Sequence, residues 1–412
     1  MRIKKIIGLF SIILACYGSK AQAQSTDWVM LDAPVPTHIS GEPNLFATDK
    51  NLYLSWIEQV DDTTKALVFS QWNEGKWTAA KTIAKGANWF VNWADFPALA
   101  VQNDGKTMAA HWLQKSGKGT YDYDIHVSQS SDGGTTWQSP FLLNRDNIKA
   151  EHGFVSLETL PNDKIFATWL DGRKSKMGNT EESNHDEHSG HGGAMTLRAA
   201  IFDNKGALSQ DTELDERVCD CCQTAAVKTD KGMVVAYRNR SDEEVRDIYV
   251  VHEKSGQWSI PKPVFTDNWK INGCPVNGPA LAANGNNVAL AWFTAANGEA
   301  QVKLAFSKDA GARFGKPIRL DGGKPLGRVD VLFLDKTTAL VSWLEDKDGN
   351  AEIRFITVTT KGVKKMEKTI TKTASNRKSG VPRIAKMGNT IMLTWTEVEE
   401  GKTFIKTTSV SF

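Results

Sequence analysis

Pro97-Ala98-Leu99-Ala100-Val101-Gln102-Asn103-Asp104-Gly105-Lys106-Thr107-Met108-Ala109-Ala110-His111-Trp112 reads as one hairpin. A proline opens an apolar alternation, Asn-Asp-Gly makes the turn, and a second β-rich run ends on an aromatic. The phrase recurs as Pro43-Asn44-Leu45 to Trp56, Phe154 to Trp169, Gln223 to Tyr237, Pro279-Ala280-Leu281 to Trp292, Val329 to Trp343, and Pro382-Arg383-Ile384 to Trp395. The closing aromatics Trp56, Trp112, Trp169, Tyr237, Trp292, Trp343 and Trp395 stand 51 to 68 residues apart. That spacing is near the period of about 50 residues of a kelch-type propeller blade.

Two further short apolar runs follow most closing aromatics, for example Ala66-Leu67-Val68-Phe69-Ser70 and then Trp77 to Ile83. No long segment has a 3.6-residue period, so the expectation is an all-β, seven-bladed β-propeller. Its units start near residues 41, 95, 152, 221, 277, 327 and 380. The seventh unit ends at Phe412 after three strands, while an unpaired strand, Trp28 to Pro34, precedes the first. Pairing that strand into the last blade would close the ring and cover both free edges. A two-domain β-sandwich is the competing architecture.

The first residues read as a leader. Arg2, Lys4 and Lys5 precede the apolar run Ile6 to Ala15, and Ala21-Gln22-Ala23 offers a small-x-small cleavage site. Residues 1–23 are then a signal peptide and 24–412 a single propeller domain, exported to the periplasm or secreted. A competing reading makes Ile13-Leu14-Ala15-Cys16 a lipobox and Cys16 a lipid anchor. No later stretch reaches the about 20 apolar residues of a membrane-spanning helix. Cleavage removes Arg2, Lys4, Lys5 and Lys20, so 50 basic residues become 46 against 48 acidic ones and the mature net charge is −2. A near-neutral chain without a basic stripe gives no electrostatic case for nucleic acid.

Ser130-Ser131-Asp132-Gly133-Gly134-Thr135-Thr136-Trp137 fits Ser-x-Asp-x-Gly-x-Thr-Trp, and Ser307-Lys308-Asp309-Ala310-Gly311-Ala312-Arg313-Phe314 is a looser copy. Ser130 and Asp132, like Ser307 and Asp309, are expected to bond the backbone of a tight turn. Gly134 and Gly311 supply positive φ, and Trp137 and Phe314 pack beneath it. With these Asp boxes the chain resembles the sialidase-like (BNR/Asp-box) β-propellers over nearly all of its mature length. Its Cys219-Asp220-Cys221-Cys222 segment is similar to one in a divergent exported bacterial branch of them. The resemblance implies glycan recognition or an exo-α-sialidase-type glycoside hydrolase. Such a site would need three arginines for a sugar carboxylate, a Tyr–Glu nucleophile pair and an Asp acid/base. The first arginine belongs in an Arg-Ile-Pro motif on the first inner strand, where this chain has Gly41-Glu42-Pro43. The arginine triad is therefore not recognisable. Asp61, Asp62, Asp95, Arg328, Asp330 and Arg383 are the remaining catalytic candidates, with Glu42 expected at the same face and Trp89 and Trp93 as sugar-stacking candidates.

The unusual chemistry lies elsewhere. Cys219, Cys221 and Cys222 precede the inner strand of blade four, Cys274 that of blade five, and His152 that of blade three. Equivalent positions on neighbouring blades converge near the axis, so these five residues are expected in one patch. Disulfides and a thiolate–imidazole site for copper or zinc are both open readings. His185, His188 and His191, in a His-rich insertion spanning 174–194, form a candidate metal-capture loop. Three functions follow: a propeller that binds a glycan or other small molecule, a periplasmic metal-binding or redox propeller, and a scaffold for envelope assembly.

Overall fold

A computed structural model describes residues 28–34, 39–176 and 193–412. The leader, Cys16 and the histidines at 185, 188 and 191 lie outside the described residues. Seven antiparallel sheets of four or five strands form the ring. Their inner strands are Ser40–Ala47, Leu99–Val101, His152–Leu160, Ala225–Lys228, Ala280–Asn284, Pro325–Asp335 and Arg383–Met387. Each inner strand lies beside that of the next blade, and the first lies beside the seventh. The chain is a seven-bladed β-propeller. No α-helix occurs among the described residues, and none of their helices is long and apolar enough to cross a membrane.

The ring closes through the N-terminal strand. Val29–Leu31 runs antiparallel to Lys402–Ser411, with Val29 opposite Ser409 and Leu31 opposite Thr407. Thr408 Oγ1 donates to the Val29 carbonyl at 2.8 Å. The last blade thus takes its outer strand from the start of the chain, and the edge of Lys402–Ser411 is covered.

The closing aromatics explain the repeat. All seven are buried, and in four blades the indole N–H donates to a carboxylate two residues on. Trp56 reaches Glu58 (3.0 Å), Trp169 reaches Asp171 (2.9 Å), Trp343 reaches Glu345 (2.8 Å) and Trp395 reaches Glu397 (3.0 Å). Residues i and i+2 share one face of a strand, so the spacing satisfies a polar atom inside the apolar blade.

The turn chemistry holds at the two Ser-x-Asp-x-Gly turns. Gly134 N–H donates to Ser130 Oγ (2.9 Å), and the Thr135 and Thr136 N–H groups donate to Asp132 Oδ1 (3.0 and 2.9 Å). Gly311 N–H and Arg313 N–H make the matching bonds to Ser307 and Asp309, both at 3.0 Å. Trp137 meets Phe69 edge-on, and Phe314 packs against the apolar cores of blades four and five.

Candidate functional site

Up-and-down strand order sends the outer-to-inner and second-to-third connections of every blade to one face, and the Ser-x-Asp-x-Gly turns to the other. The site-bearing face is therefore built by segments 88–98, 143–151, 216–224 and 264–279, together with the start of each inner strand. These starts share a local device. Bulges at Gly41/Asn44, Gly153/Ser156 and Gly327/Asp330 accompany positive φ at Glu42 (52°), Phe154 (55°) and Arg328 (54°), and blade five places Val276 at 48°. Non-glycine residues rarely adopt this region, and such outliers concentrate at functional rims. The preceding blade supplies the partner. Phe154 N–H donates to Asp95 Oδ1 at 2.8 Å, and Arg328 N–H donates to Asn277 Oδ1 at 2.7 Å. Gly153 must be glycine, because a Cβ there would sit 2.2 Å from Asp95 Oδ2.

Asp95 is buried, and its Oδ2 has no hydrogen-bond partner. Burial pushes its carboxyl up to about 8, against the Phe154 N–H bond. Glu42 lines a small cavity with Asp95, Trp89 and Phe90, and burial lifts it to about 7. Phe90 stacks on Tyr123 at 4.0 Å, and Tyr123 Oη donates to Glu151 Oε1 at 2.8 Å. Burial drives Glu151 up to about 8, with the charges of Asp220, Asp95 and Cys274 adding to it and Tyr123 opposing. Glu42, Asp95, Tyr123 and Glu151 thus form a train of carboxyls and a phenol across blades one to three. The half-exposed Tyr121 flanks it, edge-on to Phe90. Tyr123 and Glu151 were not singled out from the sequence. They lie 28 residues apart on different blades, and neither stands in a recognisable motif.

The arginines are already engaged. Arg328 donates to Asn376 O, Ser379 Oγ (2.7 Å) and Gly380 O, and lies over the Trp93 ring at 4.7 Å. Arg238 spends its guanidinium on the carbonyls of Asn277, Arg246 and Phe293. Arg383 bonds Asn44 Oδ1 at 3.2 Å and stands 3.4 Å from Asp330, whose Oδ2 also accepts from Ile384 N–H. These two line the axial cavity of about 190 Å³ with Asn44 and Glu158. Arg328 therefore ties blade six to the 376–380 segment, and Arg383 and Asp330 tie blade seven to its neighbours at the cavity wall. Asp61 caps an exposed turn, accepting from the Thr63 and Thr64 N–H groups, with Asp62 exposed beside it. Trp89 stacks on Trp112 at 5.5 Å and packs with the core.

The cysteines converge, and His152 stands apart from them. Cys219 Sγ is 3.9 Å from Cys221 Sγ and 3.7 Å from Cys222 Sγ, and Cys274 is within hydrogen-bonding reach of Cys221. All four are unlinked. Arg246 Nη1 donates to Cys219 Sγ at 3.0 Å. His152 joins Asp146 (2.9 Å) and the Tyr123 carbonyl (3.2 Å), beside Asp171 and Arg173. Burial works against its charge, but the Asp146 bond and the charges of Asp171 and Asp146 hold the ring above its usual value. Both ring nitrogens are occupied, so the expected placement of His152 with the cysteines is corrected.

No family model matches the sequence, and no curated relative is found. Solved structures do match. The polysaccharide lyase Uly1 superposes with a TM-score of 0.54 at 9% identity, over 95% of this chain and 94% of that one. The GH93 α-L-arabinofuranosidase of Fusarium graminearum gives 0.51 at 14% identity, over 79% and 95%. The Hadza microbial sialidase Hz136 gives 0.44 at 13% identity over 74% of this chain, which spans 63% of that one, less than two thirds. The likeness to Uly1 and to the arabinofuranosidase bears on the β-propeller fold. At these identities the likeness defines the scaffold, and the chemistry must be argued from the side chains.

Proposed function

We propose that this propeller acts on a neutral glycan by general acid/base catalysis at its axial face. The observation that carries the reading is the Tyr123–Glu151 pair: a phenol donating at 2.8 Å to a carboxyl raised to about 8. A carboxyl held protonated at neutral pH is the group that can donate a proton to a glycosidic oxygen. Glu42 and Asp95, raised by burial to about 7 and 8, stand behind it as further protonated carboxyls.

The arginines bear on the substrate class. Arg238 and Arg328 spend their guanidinium groups on the scaffold, while Arg383 meets Asn44 and Asp330 through Nε, so these three residues do not make the cluster that a sugar carboxylate requires. A neutral sugar fits this site better than a sialic acid, and the half-exposed Tyr121 offers a ring face for it. Fold likeness to carbohydrate-active propellers is consistent with this reading. The test is release of reducing ends from a panel of neutral and acidic glycans, compared with Glu151→Gln. Cleavage restricted to sialyl substrates would overturn the assignment, as would a folded protein that neither binds nor cleaves any glycan.

A further inference from the structure

The four cysteines donate no proton in that chemistry, although the charge of Cys274 helps to raise Glu151. Three of them, Cys219, Cys221 and Cys222, come from one short connection before the inner strand of blade four, with their sulfurs mutually within 4.8 Å. The fourth, Cys274, lies beside Cys221 on the connection before blade five but outside that set, so its sulfur has to close on the other two when an ion binds. We propose that Cys219, Cys221 and Cys222, completed by Cys274, form a thiolate site for one thiophilic d10 cation, cuprous copper or zinc.

The distances carry the proposal. Thiolates about 2.3 Å from a tetrahedral centre stand about 3.8 Å apart. The observed 3.9 and 3.7 Å separations bracket that figure. The supports are built in from the backbone. Cys219 N–H donates to the Arg238 carbonyl at 2.9 Å, and Val218 bridges Asn239, so the connection is pinned to the second-to-third strand loop of its own blade. Cys219 and Cys222 are buried, while Cys221 and Cys274 are part-exposed, which leaves an entry path for an ion.

The surroundings suit thiolates. Arg246 bonds Cys219 Sγ and is held in turn by Glu244 at 2.8 Å, an outer partner of the kind that orients metal ligands. Arg240 bridges Glu244 and Asp220, which extends the frame to the residue between Cys219 and Cys221. Buried positive charge beside sulfur favours the deprotonated ligand. Binding releases the thiol protons to solvent and replaces each S–H by an S–metal bond. Neither sulfur nor ion changes oxidation state.

The competing account is a pair of disulfides. Cys221 with Cys274 would staple blade four to blade five, and Cys219 with Cys222, at Cys-x-x-Cys spacing with sulfurs 3.7 Å apart, would take up the other two. The two accounts differ in the thiol count of the reduced and metal-loaded protein.

The test uses the full mature chain, reduced and freed of metal. It is titrated separately with zinc and with cuprous ion against a chromogenic chelator, with metal content and alkylatable thiols counted. One equivalent of at least one ion is expected, with four thiols protected on binding. Cys221→Ser and Cys274→Ser, at the part-exposed positions, should each weaken binding by more than the about 10- to 100-fold that loss of an outer partner costs. Circular dichroism and the thermal midpoint of the metal-free variants should match those of the parent, which separates ligand loss from misfolding. No stoichiometric binding by the reduced, folded protein overturns the proposal. So does undiminished affinity in both variants, or a Cys221–Cys274 disulfide that persists in protein isolated from its native compartment with no metal present. None of these readouts depends on glycan turnover.

Discussion

Replacing Asp95 by Asn tests whether the raised carboxyls belong to the folded state. An asparagine keeps an oxygen for the Phe154 N–H, now bonded at 2.8 Å, and Asn277 already plays that part toward Arg328 N–H at 2.7 Å. The variant should therefore fold. Asp95 moves from 3.8 to about 8 on folding, so the native state prefers the protonated acid. Its stabilising contribution is fully present below the unfolded value and is lost as pH rises through about 8. Across that window the native state binds more protons than the unfolded one, and stability falls with rising pH. At 1.36 kcal/mol per unit, the loss between pH 5 and 8 is at most about 4 kcal/mol, an upper bound that local relaxation reduces. Asp95→Asn cannot ionise and escapes this loss. Urea unfolding at pH 5 and 8, followed by tryptophan fluorescence, should show a shallower pH dependence in the variant. The slope should not vanish, because Glu42, Glu151 and Glu158 are raised in the same direction. Identical slopes in the two proteins would refute the reasoning.

Three other outcomes follow from the same geometry. Arg328→Ala leaves the carbonyls of Asn376 and Gly380 and the hydroxyl of Ser379 without their donor. It should lower unfolding free energy by at least about 3 kcal/mol without changing KM for a neutral glycan. Asp132→Ala should lower the thermal midpoint but leave turnover intact, since its turn bonds lie on the face opposite the site. Deleting residues 28–34 uncovers the edge of Lys402–Ser411, and light scattering should report association that the full chain does not show.

The ring was legible because its signal is periodic. Seven buried aromatics mark the second strands, and Trp-x-Asp/Glu in four blades records a bond made inside each sheet. The closure was legible because the last unit lacks a strand that the first residues can supply. The cysteine cluster was also visible, since a propeller converts equivalent positions into neighbours. His152 shows where that logic stops. Its partner Asp146 lies six residues away, in the same connection, and takes the ring before a cysteine can. Arg328 looked like a ligand-binding residue because its placement is right, yet the carbonyls of 376–380 that occupy it have no sequence signature. Tyr123 and Glu151 escaped for the converse reason: Tyr123 belongs to an ordinary β pattern and Glu151 to the connection before blade three, and only the bridge between them makes them a pair.

The most direct measurement is the turnover of neutral glycans by the wild-type chain and by Glu151→Gln across pH 5 to 9. The account predicts cleavage by the wild type that declines as Glu151 ionises near pH 8. It also predicts a loss of about 100-fold or more in the variant, the usual contribution of a positioned acid. Full activity in a folded Glu151→Gln protein, or none in the wild type on any glycan it is offered, would contradict it.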